Sequence, residues 1–155
     1  MNVKEKKIYL DKIDKKIISI LKSDARTSLS NISQKVELSL PATSDRIKKL
    51  EDLMVITGYK AVINPLNLGL DISAFITIIS DSSTNFEKIV KRANETSEIV
   101  ECFATTGRGS HILLVQTENS NSLEQLLRNI QSWPNVIRTE TQIILSTNKN
   151  LKPNK

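Results

Sequence analysis

Residues 36–54 read VELSLPATSDRIKKLEDLM, and their punctuation is that of a turn followed by a helix. The Ser39 hydroxyl can accept from an amide that the first turn of a following helix leaves unpaired, which makes Ser39 an N-cap. Pro41 falls inside that turn, where a missing N–H costs nothing because those amides have no intrahelical partner. At about 100° per residue, Leu40, Thr43, Ile47 and Leu50 gather on one side. Pro41, Ala42, Asp45, Lys48, Lys49 and Asp52 lie opposite, with Arg46 on the flank. One face is expected to pack, and the other is left to touch something. Alone this is an ordinary solvated amphipathic helix, but the segment before it changes the reading. Residues 29–36, with Ile32 and Val36 facing inward, form a second short helix joined to it by a tight turn. Two short helices so joined read as a helix-turn-helix, whose second member enters the major groove of DNA.

Upstream, Leu10, Ile13, Ile17, Ile20 and Leu21 recur at helical spacing behind the capping residue Asp11, and predict a first helix that buries its stripe against the other two. Thr27 or Ser28 caps the second. Residues 1–9, MNVKEKKIY, hold no core pattern beyond Ile8 and are expected to be a flexible arm. Downstream, Gly58 breaks the helical pattern, and residues 59–63 have strand character up to the turn signal Asn64-Pro65.

The second half alternates in kind. Residues 72–80, 99–106, 111–117 and 136–146 read as strands. Phe86, Ile89, Val90 and Ala93 follow helical spacing behind caps at Ser83 or Thr84, and Leu123, Leu126, Leu127 and Ile130 form another helix. The order β-α-β-β-α-β predicts a ferredoxin-like domain, one antiparallel sheet with both helices on one face. Ile76, Ile78, Leu114 and Ile144 are expected to make the uncovered face apolar too, so a second copy of the chain should cover it. An octamer or other ring of such homodimers fits the same reasoning. The predicted fold is therefore α+β. Residues 1–57 form a winged-helix-like helix-turn-helix domain, 58–69 a hinge strand and linker, 70–146 the ferredoxin-like domain and 147–155 a polar tail.

Composition narrows the function. With 39% hydrophobic and 25% charged residues in 155, the chain has the make-up of an ordinary globular protein. Aromatic content of 4% leaves no platform for stacking unpaired bases, which favours a duplex partner over a single strand. The net charge of +5 is unevenly placed. Residues 1–60 carry 13 Lys and Arg against 8 Asp and Glu, whereas residues 61–155 carry 9 against 9. The excess thus sits with the helix-turn-helix, as an electrostatic footprint for a polyphosphate requires. Cys102, the sole cysteine, allows no intrachain disulfide and reads as a small buried hydrophobe. Without a secretory core or an apolar run near 20 residues, a cytoplasmic, nucleoid-associated protein with no membrane partner is expected. No Ser-His-Asp set, metal-spaced cluster or P-loop can be assembled. No catalytic residue, metal ligand or cofactor is assigned, and the chain is not read as an enzyme.

The runs LDKIDKKIISILKSDARTSLSNISQKVELS, RIKKLE, VITGYKAVINP, ECFATTGRG and WPNVIRTETQIIL follow one another across residues 10–145. In that order they resemble the Lrp/AsnC family of bacterial and archaeal transcription regulators. The resemblance implies a DNA-binding domain, a hinge strand, and a C-terminal domain that dimerises and senses small molecules, commonly amino acids. Two departures concern glycine: the family places Gly in the helix-turn-helix turn and just after the recognition helix, where this chain has Glu37 and Met54. At φ > 0 a side chain costs about 1 kcal/mol, so these turns are either strained or differently shaped. A third concerns the loop after the second strand. The family's T-G-x-x-D, associated with effector binding, here reads Thr106, Gly107, Arg108, Gly109, Ser110. An amino acid would lose a carboxylate for its ammonium and gain a guanidinium for its carboxylate. The alternative is a tight turn that helps subunits pack.

Within the recognition helix, Pro41, Ala42, Ser44 and Asp45 are the candidates for reading bases, the first two against a thymine methyl and Asp45 against a cytosine amino group. Arg46, Lys48 and Lys49 suit phosphates, as does Ser39 through its backbone amide. Plain solvation is the alternative for the lysines, and an ion pair within the domain for Arg46. None of these makes a bidentate purine contact, so specificity should be shallow, with DNA bending and several dimers supplying the rest. The expected function is a sequence-preferring double-stranded DNA-binding transcriptional regulator, dimeric or larger, modulated by an amino acid or other small molecule. Two alternatives stand beside it: a nucleoid-like architectural protein without an effector, and a tetrapyrrole decarboxylase of similar architecture, for which the single histidine, His111, would have to serve.

Overall fold

Asp11 starts the first helix reciprocally, its carboxylate accepting from the Asp14 amide at 2.8 Å while the Asp14 carboxylate accepts from the Asp11 amide at 3.2 Å. The computed structural model describes residues 8–81 and 86–147. In chain order these form α1 (Lys12–Ser23), α2 (Leu29–Val36), α3 (Leu40–Asp52), a 3-10 turn (Pro65–Leu68), β1 (Ile72–Ser80), α4 (Phe86–Asn94), β2 (Ile99–Ala104), β3 (His111–Thr117), α5 (Ser120–Gln131) and β4 (Val136–Ile143). The chain divides between Val62 and Ile63 into two compact units.

In the first unit, Ser28 caps α2 by accepting from the Asn31 amide at 3.2 Å, and Ser39 caps α3 by accepting from Ala42 at 3.3 Å. Ile17, Ile32, Val36 and Leu50 form the buried centre, with Leu38 and Ile47 among the side chains packed around it. Thr43 is fully buried as well, and its hydroxyl is satisfied locally by donating to the Ser39 carbonyl at 3.0 Å. Both turns flanking α3 are left-handed. Glu37 has φ 59° and Met54 φ 55°, and behind them the Leu38 amide reaches the Ser33 carbonyl at 3.1 Å and the Val55 amide the Leu50 carbonyl at 2.9 Å. This is the helix-ending arrangement glycine favours, so the two substitutions leave the turns in their glycine-like shape and load them with strain.

Arg46 joins α3 to α1. Its Nη1 donates to Asp11 Oδ2 at 2.6 Å and to Asp14 Oδ1 at 2.8 Å, and the Asp14 side chain is only 6% exposed. The Asp14 amide first, and then the Arg46 guanidinium, hold the Asp11 carboxyl below the usual carboxylate value. A lowered folded value makes this contribution to stability complete above the ordinary range and lost as pH falls through the folded one.

One expectation is not met beside this unit: residues 59–63, expected as a hinge strand, have no ladder partner among the described residues. Tyr59, Val62 and Ile63 are exposed instead. Strand propensity describes a fit to a neighbouring strand, and here no described segment supplies one. The Asn64 side chain accepts from the Leu66 amide at 3.2 Å and opens the 3-10 turn.

The second unit is a four-stranded antiparallel sheet in the order β2-β3-β1-β4. Ala74, Ile76 and Ile78 of β1 pair with Val115, Leu113 and His111 of β3, and this face packs under Ile89 and Ala93 of α4 and Leu123, Leu126 and Ile130 of α5. Ile76 and Ile78, expected on the uncovered face, are thus in the helix-covered core with no exposure. The run ISAFITIIS is apolar at both parities, so alternation alone does not say which set the helices take. The other face carries Phe75 opposite Leu114 and Phe103 opposite Ile112, with Phe75 39% and Phe103 46% exposed. Ile144, whose amide reaches the Ser73 carbonyl at 2.9 Å, continues β4 past its last paired residue. β2 and β4 end earlier than expected, at Ala104 and Ile143. The helix caps expected at Ser83 or Thr84, most of the N-terminal arm and most of the tail lie outside the described residues.

Glu37→Gly and Met54→Gly should each raise the free energy of unfolding by about 0.5–1 kcal/mol in urea titrations, whereas Glu37→Val should lower it. Arg46→Met keeps the stem but takes the cation from the buried Asp14 carboxylate, and the same titration should show a loss of about 1–3 kcal/mol.

Candidate nucleic-acid interface

The thirteen residues of α3 span about 20 Å at 1.5 Å per residue, the length of a major-groove probe. Burial separates its two sides. Thr43 and Leu50 are buried and Ile47 is half-buried, while Ser39, Pro41, Ser44, Asp45, Lys48 and Lys49 are exposed and Ala42 is half-buried. No acidic residue stands in the first turn, so nothing offsets the positive end of the helix there. Neither Lys48 nor Lys49 enters an ion pair among the described residues. The exposed face therefore offers uncommitted cations, short hydroxyls and two carboxylates, Asp45 and Asp52.

Two residues sit differently from the helical-wheel reading. Arg46, counted with the phosphate contacts, is committed to Asp11 and Asp14, the ion pair within the domain that was its alternative. Leu40, placed on the packing face, is 49% exposed. It is the first residue of α3, and a helical Cβ tilts toward the N-terminus, so its side chain projects past the end of the helix instead of onto the core. Leu38, in the turn, packs against the core near that end. A wheel assigns every residue an angle but not the end of the helix, which is why Leu40 escaped notice as a surface group.

The loop from Thr106 to Ser110 is a tight turn between β2 and β3. The Thr105 amide donates to the Ser110 carbonyl at 3.0 Å, and the Ser110 amide to the Ile78 carbonyl at 2.9 Å. Gly107 has φ 106°, a conformation that favours glycine. Gly109 is required for a different reason: a Cβ there would collide with Thr77 Cγ2 and press on the Ile78 carbonyl. Thr106, Gly107 and Arg108 are exposed, and Arg108 enters no ion pair among the described residues. Ser110 lies with its Oγ 3.0 Å from His111 Nδ1. His111 in turn lines an open groove of about 530 Å³ beside α4, with Val90, Lys91 and Ala104. Burial pushes the His111 imidazole below its usual value, which keeps it neutral near pH 7. Among the described residues no three His, Cys, Asp or Glu side chains gather as a metal ion would need, and no helix is long and apolar enough to cross a membrane.

Comparison with known proteins agrees with this geometry. Residues 10–51 match the AsnC-type helix-turn-helix domain, and residues 73–153 match the Lrp/AsnC ligand binding domain. The HTH-type transcriptional regulator LrpA of Mycobacterium tuberculosis is 35% identical over 138 residues, covering 89% of this chain and 91% of that protein. The regulator FL11 of Pyrococcus horikoshii is 36% identical over 143 residues, covering 92% and 94%. Among solved structures, the feast or famine regulatory protein of M. tuberculosis in complex with L-methionine aligns with a TM-score of 0.86 at 33% identity, covering 93% of this chain and 97% of that one. The helix-turn-helix, the antiparallel sheet with its helices and these matches over nearly the whole length place the chain in the Lrp/AsnC family of transcriptional regulators.

Proposed function

We propose that the protein regulates transcription by laying α3 in the major groove of double-stranded DNA, works as a homodimer or larger assembly, and answers to an amino acid or similar small molecule. The observation that carries the first part is the exposed side of α3, which combines uncommitted lysines with short reading groups on a helix whose other side is locked into a core. Lys48 and Lys49 hold phosphates, the Ser39 backbone amide holds a third, and Ser44 and Asp45 reach base edges beside Pro41 and Ala42. Arg46 acts in this scheme as a positioning residue, holding α3 against α1. The homodimer rests on the uncovered sheet face, where Phe75, Phe103, Ile112 and Leu114 form an apolar surface of the kind that a second copy covers.

The effector reading rests on the turn at Thr106–Ser110, whose exposed Arg108 suits a carboxylate. The relative solved with L-methionine gives amino acids the first place among candidates. This is the chemistry of a binding protein and not of an enzyme, and it belongs beside the nucleoid in the cytoplasm.

Lys49→Ala should weaken binding to all duplexes and flatten the slope of log affinity against log salt by about one unit, and an unchanged slope removes Lys49 from the interface. Leu114→Asp should convert the assembly to monomers in sedimentation or light scattering, with the fold retained by circular dichroism. Screening the twenty amino acids by thermal shift should find at least one that stabilises, by about 2.7 kcal/mol at 100 times its Kd. Twenty flat traces would favour an architectural DNA-binding protein with no amino-acid effector.

A further inference from the structure

We infer that Leu40 reads thymine: its exposed side chain, projecting from the N-terminal end of α3, packs on the C5-methyl group of a thymine in the major groove and sets an A·T requirement at that position. The inference rests on the reading that α3 enters the groove, and adds to it the base that the helix selects.

Leu40 is 49% exposed, whereas the other large aliphatic side chains of α3, Ile47 and Leu50, are half-buried and buried. It follows the capping Ser39 and precedes Pro41, so it occupies the first helical position, the end that meets base edges when a recognition helix docks. The remaining exposed side chains of the first two turns are Pro41, Ser44 and Asp45. None of them can make the bidentate contacts by which Arg or Lys reads guanine and Asn or Gln reads adenine. Bidentate readout of purines is therefore absent from this end of the helix. The major-groove edge also carries one apolar feature, the thymine methyl, and apolar side chains are what recognise it. Leu40 is the largest apolar group in position to cover that methyl, and Pro41 and the half-buried Ala42 offer only smaller surfaces beside it.

Exposure of Leu40 is also unforced by the fold. Leu38 packs against the core next to this end of α3, while Leu40 is outside the cluster. Ser39 already caps the helix and a polar residue at the next position would be solvated as well, so the fold supplies no packing reason for a leucine there. Burial against a base methyl upon binding supplies one.

The test uses the full-length protein and a duplex selected by it from a random pool. Each thymine of the selected site is replaced singly by deoxyuridine, which removes the C5-methyl and preserves the base pair. Wild-type protein should lose about fourfold in affinity at one thymine of each half-site, the size expected for one buried methyl. Leu40→Ala should bind the thymine and uracil duplexes equally at that position while keeping the wild-type response to replacements elsewhere. Two results overturn the assignment while leaving duplex binding intact: wild-type affinity unchanged at every replacement, or a Leu40→Ala loss equal to wild type at the same thymine. A wild-type protein that selects no duplex overturns both this inference and the reading beneath it, and is distinguished from them at the first step. The uracil scan needs no variant, so the wild-type half of the test does not depend on how Leu40→Ala folds.

Discussion

A guanidinium held by two carboxylates decides how α3 can be used. Arg46 projects from the middle of α3 onto Asp11 and Asp14 in the first turn of α1, and those carboxylates are held by the same reciprocal cap that begins α1. With Thr43 and Leu50 buried on the adjacent side, the rotation of α3 about its own axis is settled. A turn of 100°, one residue, would bring a lysine toward the apolar centre or lift Leu50 into water, each at a cost of kcal/mol. The orientation of the reading face thus follows from the burial of the opposite one, and Arg46 contributes by what it holds inside the unit. A single nitrogen, Nη1, serves both carboxylates.

The same logic explains why much of the molecule was legible from residue order. Helices α1, α2 and α3 begin where Asp11, Ser28 and Ser39 can cap them, and a cap is a local bond between residues three apart. The bounds of β1 and β3 coincide with β-branched and leucine-rich runs for an equally local reason. What escaped depended on distant partners. Ile76 and Ile78 have the same character as Ile79, and only the placement of α4 and α5 decides which of them are covered. Residues 59–63 have strand character, but a strand is made by a neighbour, and the described residues provide none. The candidate interface divides in the same way: the exposed set on α3 follows from its period, whereas the commitment of Arg46 and the outward turn of Leu40 depend on α1 and Leu38.

Strain at Glu37 and Met54 shows what the fold tolerates to keep α3 in place. Both ends of the recognition helix are bounded by left-handed residues whose side chains disfavour that conformation, and both keep the bonds of a regular helix ending. The fold therefore needs the shape of these turns more than it needs glycine in them. Tertiary packing supplies what local preference lacks: Leu38 follows Glu37 into the core cluster, and Val55 follows Met54 into the same cluster. Apolar residues just past each left-handed position offset its cost, an arrangement common to helix endings of this type.

Glycine matters elsewhere for space instead of φ. At the turn between β2 and β3, Gly109 lies against Thr77 and the Ile78 carbonyl so closely that any side chain would force the loop off the sheet. The Ser110 amide is thereby fixed on that carbonyl, while Thr106, Gly107 and Arg108 are left outside. If the proposed effector binds here, a loop anchored at its base and charged at its tip would meet it with little ordering left to do, since its backbone entropy is already spent on the anchor. Under the proposed effector role, the missing loop carboxylate would act on specificity more than on affinity. In that role the exposed Arg108 guanidinium would discriminate among ligands by their anionic group, and would leave an ammonium to find its partner on the ligand itself, in solvent or on another subunit.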